Sequence, residues 1–123
     1  MDKKRILIAD DEENMLITLA FILESAGYDT TTSTNGRQAM SRILSEKDNP
    51  FDLLILDIQM PYITGLQLIE ELRKSLINTP IIVMTGYESD ELINELKSKG
   101  CNDHIAKPFD EDELLAKIEK IIP

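Results

Sequence analysis

The chain has 123 residues and one cysteine, and its 13 basic residues face 23 acidic ones, a formal net charge of −10. That length suits one domain with one core, without disulfides or structural metal. The charge argues against nucleic acid or an anionic membrane as a partner. A lone Cys101 excludes an intrachain disulfide and a cysteine-cluster metal site, and suits a reducing cytoplasm.

The N-terminus, Met1 to Arg5, has the basic start of a signal peptide, but the apolar run behind it stops within a few residues at Asp10-Asp11, too soon for an h-region or a membrane span. A soluble protein is expected. Arg5–Ala9 reads as a short buried strand. Met15, Leu16, Leu19, Ala20 and Leu23 then follow helical spacing to Ala26, with Gly27 in the position that follows a helix C-cap. Tyr28–Thr32 is β-branched and polar, as suits a strand near a sheet edge. Asn35-Gly36 starts a second helix carrying Ala39, Met40, Ile43 and Leu44 on one side, and Glu46–Pro50 is a polar break.

The run opened by Asp52 and closed by Asp57 and Met60-Pro61 is apolar throughout from Leu53, the pattern of a strand covered on both faces. Leu66, Ile69 and Leu72 place a third helix behind it. Pro80 opens Ile81–Met84, a second uninterrupted apolar strand that stops at Thr85-Gly86. Leu92, Ile93 and Leu96 make a fourth helix, the least hydrophobic of the five, ended by Gly100. His104–Ala106 is a short fifth strand before Lys107-Pro108, and Asp110 with Glu113 reads as a capping box opening the last helix.

Five strands alternating with five helices specify an α/β fold, a (βα)5 doubly wound parallel sheet occupying residues 1–123 as one domain. Pro123 follows the last helix, as a true terminus or as the edge of a longer protein. In such sheets ligands bind beyond the carboxyl ends of the strands. Four of the five ends carry a functional group: Asp10-Asp11, Asp57, Thr85 and Lys107. Taken singly, an aspartate after the first strand is explained as a helix cap, Thr85 as a turn hydroxyl, and Lys107 as a solvated surface group. Asp57 resists such a reading, because a carboxylate ending a central buried strand needs a partner.

Three carboxylates gathered together repel unless a cation is present. Oxygen ligands without His or Cys point to a hard divalent ion, and a site of few protein ligands suits Mg²⁺ better than a Ca²⁺ cage. Such a site accepts a phosphoryl group whose oxygens are shared by the metal, the Lys107 ammonium and the Thr85 hydroxyl, with Asp57 as the nucleophile.

Asp10-Asp11, Asp57 within LDIQMP, Gly65, Thr85-Gly86 and Lys107-Pro108-Phe109, in this order over nearly the whole chain, resemble the receiver domain of bacterial two-component response regulators. The resemblance implies a flavodoxin-like sheet of strand order 2-1-3-4-5. It implies a phosphoacceptor, not a turnover enzyme, in which Asp57 takes phosphate from a sensor histidine kinase, a histidine phosphotransfer protein or a small donor such as acetyl phosphate. Asp11, Asp57 and the Gln59 backbone carbonyl would bind Mg²⁺ directly, and Asp10 through water. Thr85 and Lys107 would hold phosphoryl oxygens, and the Lys107-Pro108 bond would be cis. Gln59 and Tyr87 would tune the lifetime of the phosphorylated state.

The resemblance also implies a switch in which Thr85 moves toward the phosphate and an aromatic residue of the fifth strand turns inward. That position holds His104 here, smaller than Tyr or Phe and able to carry charge near neutral pH. The fourth helix, fifth strand and fifth helix would present the face for an effector or a partner, including a phosphorylation-dependent homodimer.

Three other readings share parts of this pattern. A haloacid dehalogenase-like phosphohydrolase places a second Asp two residues after its nucleophile, where this chain has Gln59, and adds a cap for which no insertion is evident. A flavin-binding flavodoxin needs a hydroxyl- and glycine-rich first loop, where this chain has DDEEN. A receiver-like interaction module that is never phosphorylated normally lacks one of the five positions, and none is missing.

Overall fold

The computed structural model describes residues 3–123, so Met1 and Asp2, with the start of the N-terminal reading and of the expected domain, lie outside the described residues. Five strands and five helices alternate: β1 (Arg5–Ala9), α1 (Glu13–Ser25), β2 (Asp29–Ser33), α2 (Gly36–Ser45), β3 (Leu53–Asp57), α3 (Gly65–Lys74), β4 (Ile81–Thr85), α4 (Asp90–Lys99), β5 (Asp103–Ala106) and α5 (Glu111–Ile121). All pairings are parallel, and the strand order is β2-β1-β3-β4-β5. This is the doubly wound fold expected from the alternation of elements.

The uninterrupted apolar runs have a simple cause. Successive strand side chains point to opposite faces, and here both faces are covered. Ile6, Ile8, Leu53, Ile55, Ile82 and Met84 pack on the face carrying Leu19 and Leu23 of α1 and Leu114 and Ile118 of α5. Leu7, Ala9, Leu54, Leu56, Ile81 and Val83 pack on the opposite face against α2, α3 and Leu96 of α4. Every residue of β3 and β4 is buried, and each apolar side chain so placed stabilises the fold by about 1.5–3 kcal/mol. The polar β2 is an edge strand, as its threonines suggested.

Element ends follow local chemistry. Asn35 caps α2, its side chain accepting the Gln38 amide at 2.8 Å. Gly27 and Gly100 take the left-handed conformation that ends α1 and α4 without a Cβ penalty. The capping box lies elsewhere than expected. Asp110 occupies the N-cap of α5 but its side chain makes no cap bond, whereas Thr64 and Gln67 form a reciprocal box at the start of α3. The strands β2 and β5 also differ from the expected limits by one residue, β2 running from Asp29 to Ser33 and β5 starting at Asp103.

Candidate functional site

β1 and β3 are neighbours in the sheet, and the strand order reverses direction between them. At such a switch point the flanking helices leave to opposite faces and a crevice opens beyond the strand ends. Asp10 follows β1 directly and Asp57 is the last residue of β3. Asp10 is fully buried, Asp57 is 8% exposed and Thr85 2%, while Asp11 is exposed. Asp10, Asp11 and Asp57 each offer a carboxylate oxygen, and these oxygens lie within 4.8 Å of one another.

Lys107 comes from the far side of the site, held where β5 ends because its amide donates to the Thr85 carbonyl at 2.7 Å. Its Nζ sits 2.8 Å from Asp10 Oδ2 and 3.3 Å from Asp57 Oδ2. Burial alone would lower the pKa of this ammonium, but its hydrogen bond to Asp10 and the charge of Asp57 prevail and raise it. Asp57 is pushed up from the ordinary carboxylate value by burial first and by the neighbouring Asp10 second, against the opposing pull of Lys107. The site therefore holds more negative charge than its ammonium balances.

Local contacts fix the Asp10 and Asp57 carboxylates. Asp10 Oδ1 accepts the Glu12 amide at 2.8 Å, an Asx turn that leads the chain into α1 and is not a cap on it. Asp57 is carried by the short loop into α3, where the Gly65 amide donates to the Ile58 carbonyl at 2.9 Å. A Cβ on Gly65 would lie 2.6 Å from the Asp57 carbonyl oxygen and 2.9 Å from the Ile58 Cα. Only glycine lets the helix approach the strand end this closely. The Thr64 box fixes the same helix end, and Gly36 of α2 admits the Ile63 segment of the loop, its missing Cβ falling 2.8 Å from Ile63 Cβ.

Asp11, Asp57, Gln59, Thr85, Gly86, Tyr87 and Lys107 surround an open cleft of about 410 Å³. The Thr85 hydroxyl donates to the Tyr87 carbonyl at 2.7 Å and accepts the Tyr87 amide at 3.1 Å. It is thus both at the cleft and engaged in a local turn. Tyr87 is 75% exposed at the rim. The Gln59 amide approaches Asp57 Oδ1 at 3.5 Å. His104 stands apart from the cleft on the edge strand, half-buried, with Nε2 3.4 Å from Glu88 Oε1. The structure thus brings together every residue the sequence singled out for the site except His104, and the half-buried Cys101 thiol, outside the site, donates to the Asp103 carbonyl at 2.9 Å.

The donor set fits a hard divalent ion: three converging carboxylates, all-oxygen, in a crevice whose single ammonium leaves the charge unbalanced. A doubly wound five-stranded sheet with an acidic pocket at its switch point and a lysine across it defines the class, a flavodoxin-like α/β domain of the receiver type. The chain belongs to the response regulator receiver domain family, whose model matches residues 6–119.

Among curated relatives, sporulation initiation phosphotransferase F of Bacillus subtilis (strain 168) is 33% identical over 123 residues, covering 100% of this chain and 97% of that protein. The alkaline phosphatase synthesis transcriptional regulatory protein PhoP of the same organism is 34% identical over 97% of this chain, which spans about half of that relative, 48%. Two solved structures agree in fold. The receiver domain of the Francisella response regulator 1452 superposes with a TM-score of 0.89 at 34% identity, covering 97% of this chain and 96% of that one. Chemotaxis protein CheY4 of Vibrio cholerae gives 0.89 at 28% identity, covering 98% and 100%. Among the described residues no helix is long and apolar enough to cross a membrane.

Proposed function

We propose that this chain is a single receiver domain over residues 1–123 and works as the phosphoacceptor of a two-component phosphorelay. Asp57 attacks the phosphorus of a phosphohistidine on a sensor histidine kinase or a histidine phosphotransfer protein. A P–O bond forms as the P–N bond breaks, and the leaving imidazole keeps the electron pair and takes up a proton. The observation that carries this reading is the convergence of Asp10 and Asp11 on Asp57 within 4.8 Å, with Lys107 Nζ at 3.3 Å from Asp57.

Asp11, Asp57 and the Gln59 carbonyl would hold Mg²⁺, with Asp10 behind them, and the bound ion would neutralise the crowded carboxylates and the charge on the transferring phosphoryl oxygens. Lys107 offsets charge on the same oxygens from the other side. The Thr85 hydroxyl, released from Tyr87, donates to one of them and so converts the modification into a loop movement. His104 is the residue of β5 that answers this movement, and Gln59 and Tyr87 govern the approach of water to the acyl phosphate.

The α4, β5 and α5 face would then bind an effector domain or a partner protein, including a second phosphorylated copy, in the cytoplasm. Two relatives, one a phosphotransferase and the other a transcriptional regulatory protein by name, support a signalling role of this kind. Incubation with acetyl phosphate and Mg²⁺ tests the reading. An acid-stable, base-labile mass gain of one phosphoryl group on Asp57 is expected. No gain, or gain that survives in Asp57→Asn, would overturn it.

A further inference from the structure

The Thr85 hydroxyl hydrogen now goes to the Tyr87 carbonyl, in the loop between β4 and α4, so offering it to a phosphoryl oxygen breaks the bond that ties Thr85 to that loop. The residue after Tyr87 is Glu88, whose Oε1 lies 3.4 Å from His104 Nε2 on β5. The other charged groups around the imidazole lie elsewhere: Asp103 Oδ1 is 3.9 Å from Nδ1, and Lys117 of α5 pairs with Asp103 at 3.4 Å. Asp103 adjoins His104 on the same strand and travels with it, so Glu88 is the group that ties the ring to the loop.

The helix that follows makes this tie matter. The far end of α4 is anchored, since Arg73 donates to the Gly100 carbonyl at 2.8 Å and Lys99 meets Glu70 at 3.0 Å. Toward the loop the anchorage is lighter: Leu96, the buried residue of α4, sits in the second half of the helix, and in the first turn Leu92 packs on the core only partly buried.

We propose that Glu88 and His104 form a latch that holds the β4–α4 loop in the conformation where Thr85 is bonded to Tyr87, and that protonation of the imidazole tightens it. The inference rests on the phosphoacceptor reading of Asp57. Its sign with pH follows from charge: the imidazolium attracts the Glu88 carboxylate more strongly than the neutral ring does, so the latch tightens toward acid and loosens toward alkaline pH.

The test compares wild type, Glu88→Gln, His104→Gln and the double variant. Glu88 is exposed, so these proteins are expected to fold, and circular dichroism checks it. In metal-free protein at pH 6, amide hydrogen exchange over residues 86–92 is expected to be about two- to fivefold faster in each variant than in wild type, the range set by a half-exposed ion pair. With saturating Mg²⁺, beryllofluoride followed by ¹⁹F NMR is expected to bind the variants about two- to fivefold more tightly than wild type at pH 6, with the gap closing at pH 8. The double variant gains nothing over either single one. Exchange and affinity equal to wild type at pH 6 overturn the latch while leaving the phosphoacceptor intact. A wild type that binds no beryllofluoride at either pH overturns the phosphoacceptor reading and the latch with it.

Discussion

Asp57→Asn is expected to stabilise the metal-free protein. The substitution removes one charge from a crowded set and keeps a side-chain oxygen where the Gln59 amide approaches. Asp10 and Asp11 present oxygens no farther than 4.8 Å from Asp57, so with an effective dielectric of about 20 the buried Asp10 repels it by about 3.5 kcal/mol, while the exposed Asp11 is screened by solvent and adds less. Lys107 at 3.3 Å attracts it by about 5 kcal/mol on the same scale, but that ammonium is shared with Asp10 at the shorter distance of 2.8 Å. The cost of burial and the repulsion from Asp10 together outweigh that shared attraction, and a net gain of about 1–3 kcal/mol is expected from neutralising Asp57. For a chain of this size that is a rise in Tm of about 4–12 °C. The sign with pH follows from the raised pKa of Asp57. Its native form binds a proton more tightly than the unfolded chain does, so ionising it costs stability as pH climbs through the interval between the unfolded and the raised native value. The advantage of Asp57→Asn is thus full above that interval and vanishes below it. Thermal unfolding in EDTA at pH 7.5 and at pH 3.5 measures this, and added Mg²⁺ should raise the Tm of wild type more than that of the variant. A lower Tm for Asp57→Asn in EDTA at pH 7.5 would refute the electrostatic account.

Other substitutions probe the supports of the site. Gly65→Ala puts a Cβ 2.6 Å from the Asp57 carbonyl oxygen, and since the backbone must yield, a loss of about 1–3 kcal/mol is expected. A Tm equal to or above wild type would show that the helix end yields freely. Thr64→Ala deletes the N-cap oxygen of α3 and should cost about 1 kcal/mol in denaturant unfolding, with an unchanged midpoint counting against the box. Tyr87→Ala removes an exposed ring from the rim of the cleft and should shorten the half-life of the acyl phosphate, followed by loss of the mass gain after the donor is removed. A longer half-life would mean that the ring recruits water.

What could be read from the chain divides along a physical line. The strands β3 and β4 were legible because both faces are covered, so no polar residue interrupts them, and α4 was legible as a weak helix because Leu96 alone of its residues is buried. Asp10, Asp57, Thr85 and Lys107 stood out in the sequence because each falls at or just past the end of a strand, where an apolar run gives way to a polar side chain that needs a reason. The limits of β2 and β5 were less so, since an edge strand is paired on one side and its sequence carries little pattern. The box at Thr64 and Gln67 was present in the sequence as a T-x-x-Q spacing. The acidic pattern at Asp110 matched the same rule without making the bond, so the rule alone does not choose between the two. Contacts that depend on the path of a loop were out of reach: the Lys107 ammonium on Asp10, 97 residues away in sequence, Ile63 against Gly36, and Glu88 against His104.

These long-range contacts have an energetic consequence that the motif alone does not state. A carboxylate at the end of a central strand is costly, and a second and third beside it are costlier, yet the fold places all three where its single nearby ammonium cannot balance them. The surrounding structure must therefore be stable enough to hold a repulsive cluster in place, and the fully buried strands that carry Asp10 and Asp57 supply that stability. Any group that brings positive charge to the cluster then binds with the relief of repulsion added to its own contacts. The same relief makes cation binding and the thermal stability of this chain two measurements of one quantity, so a substitution that removes the crowding should weaken the first while raising the second.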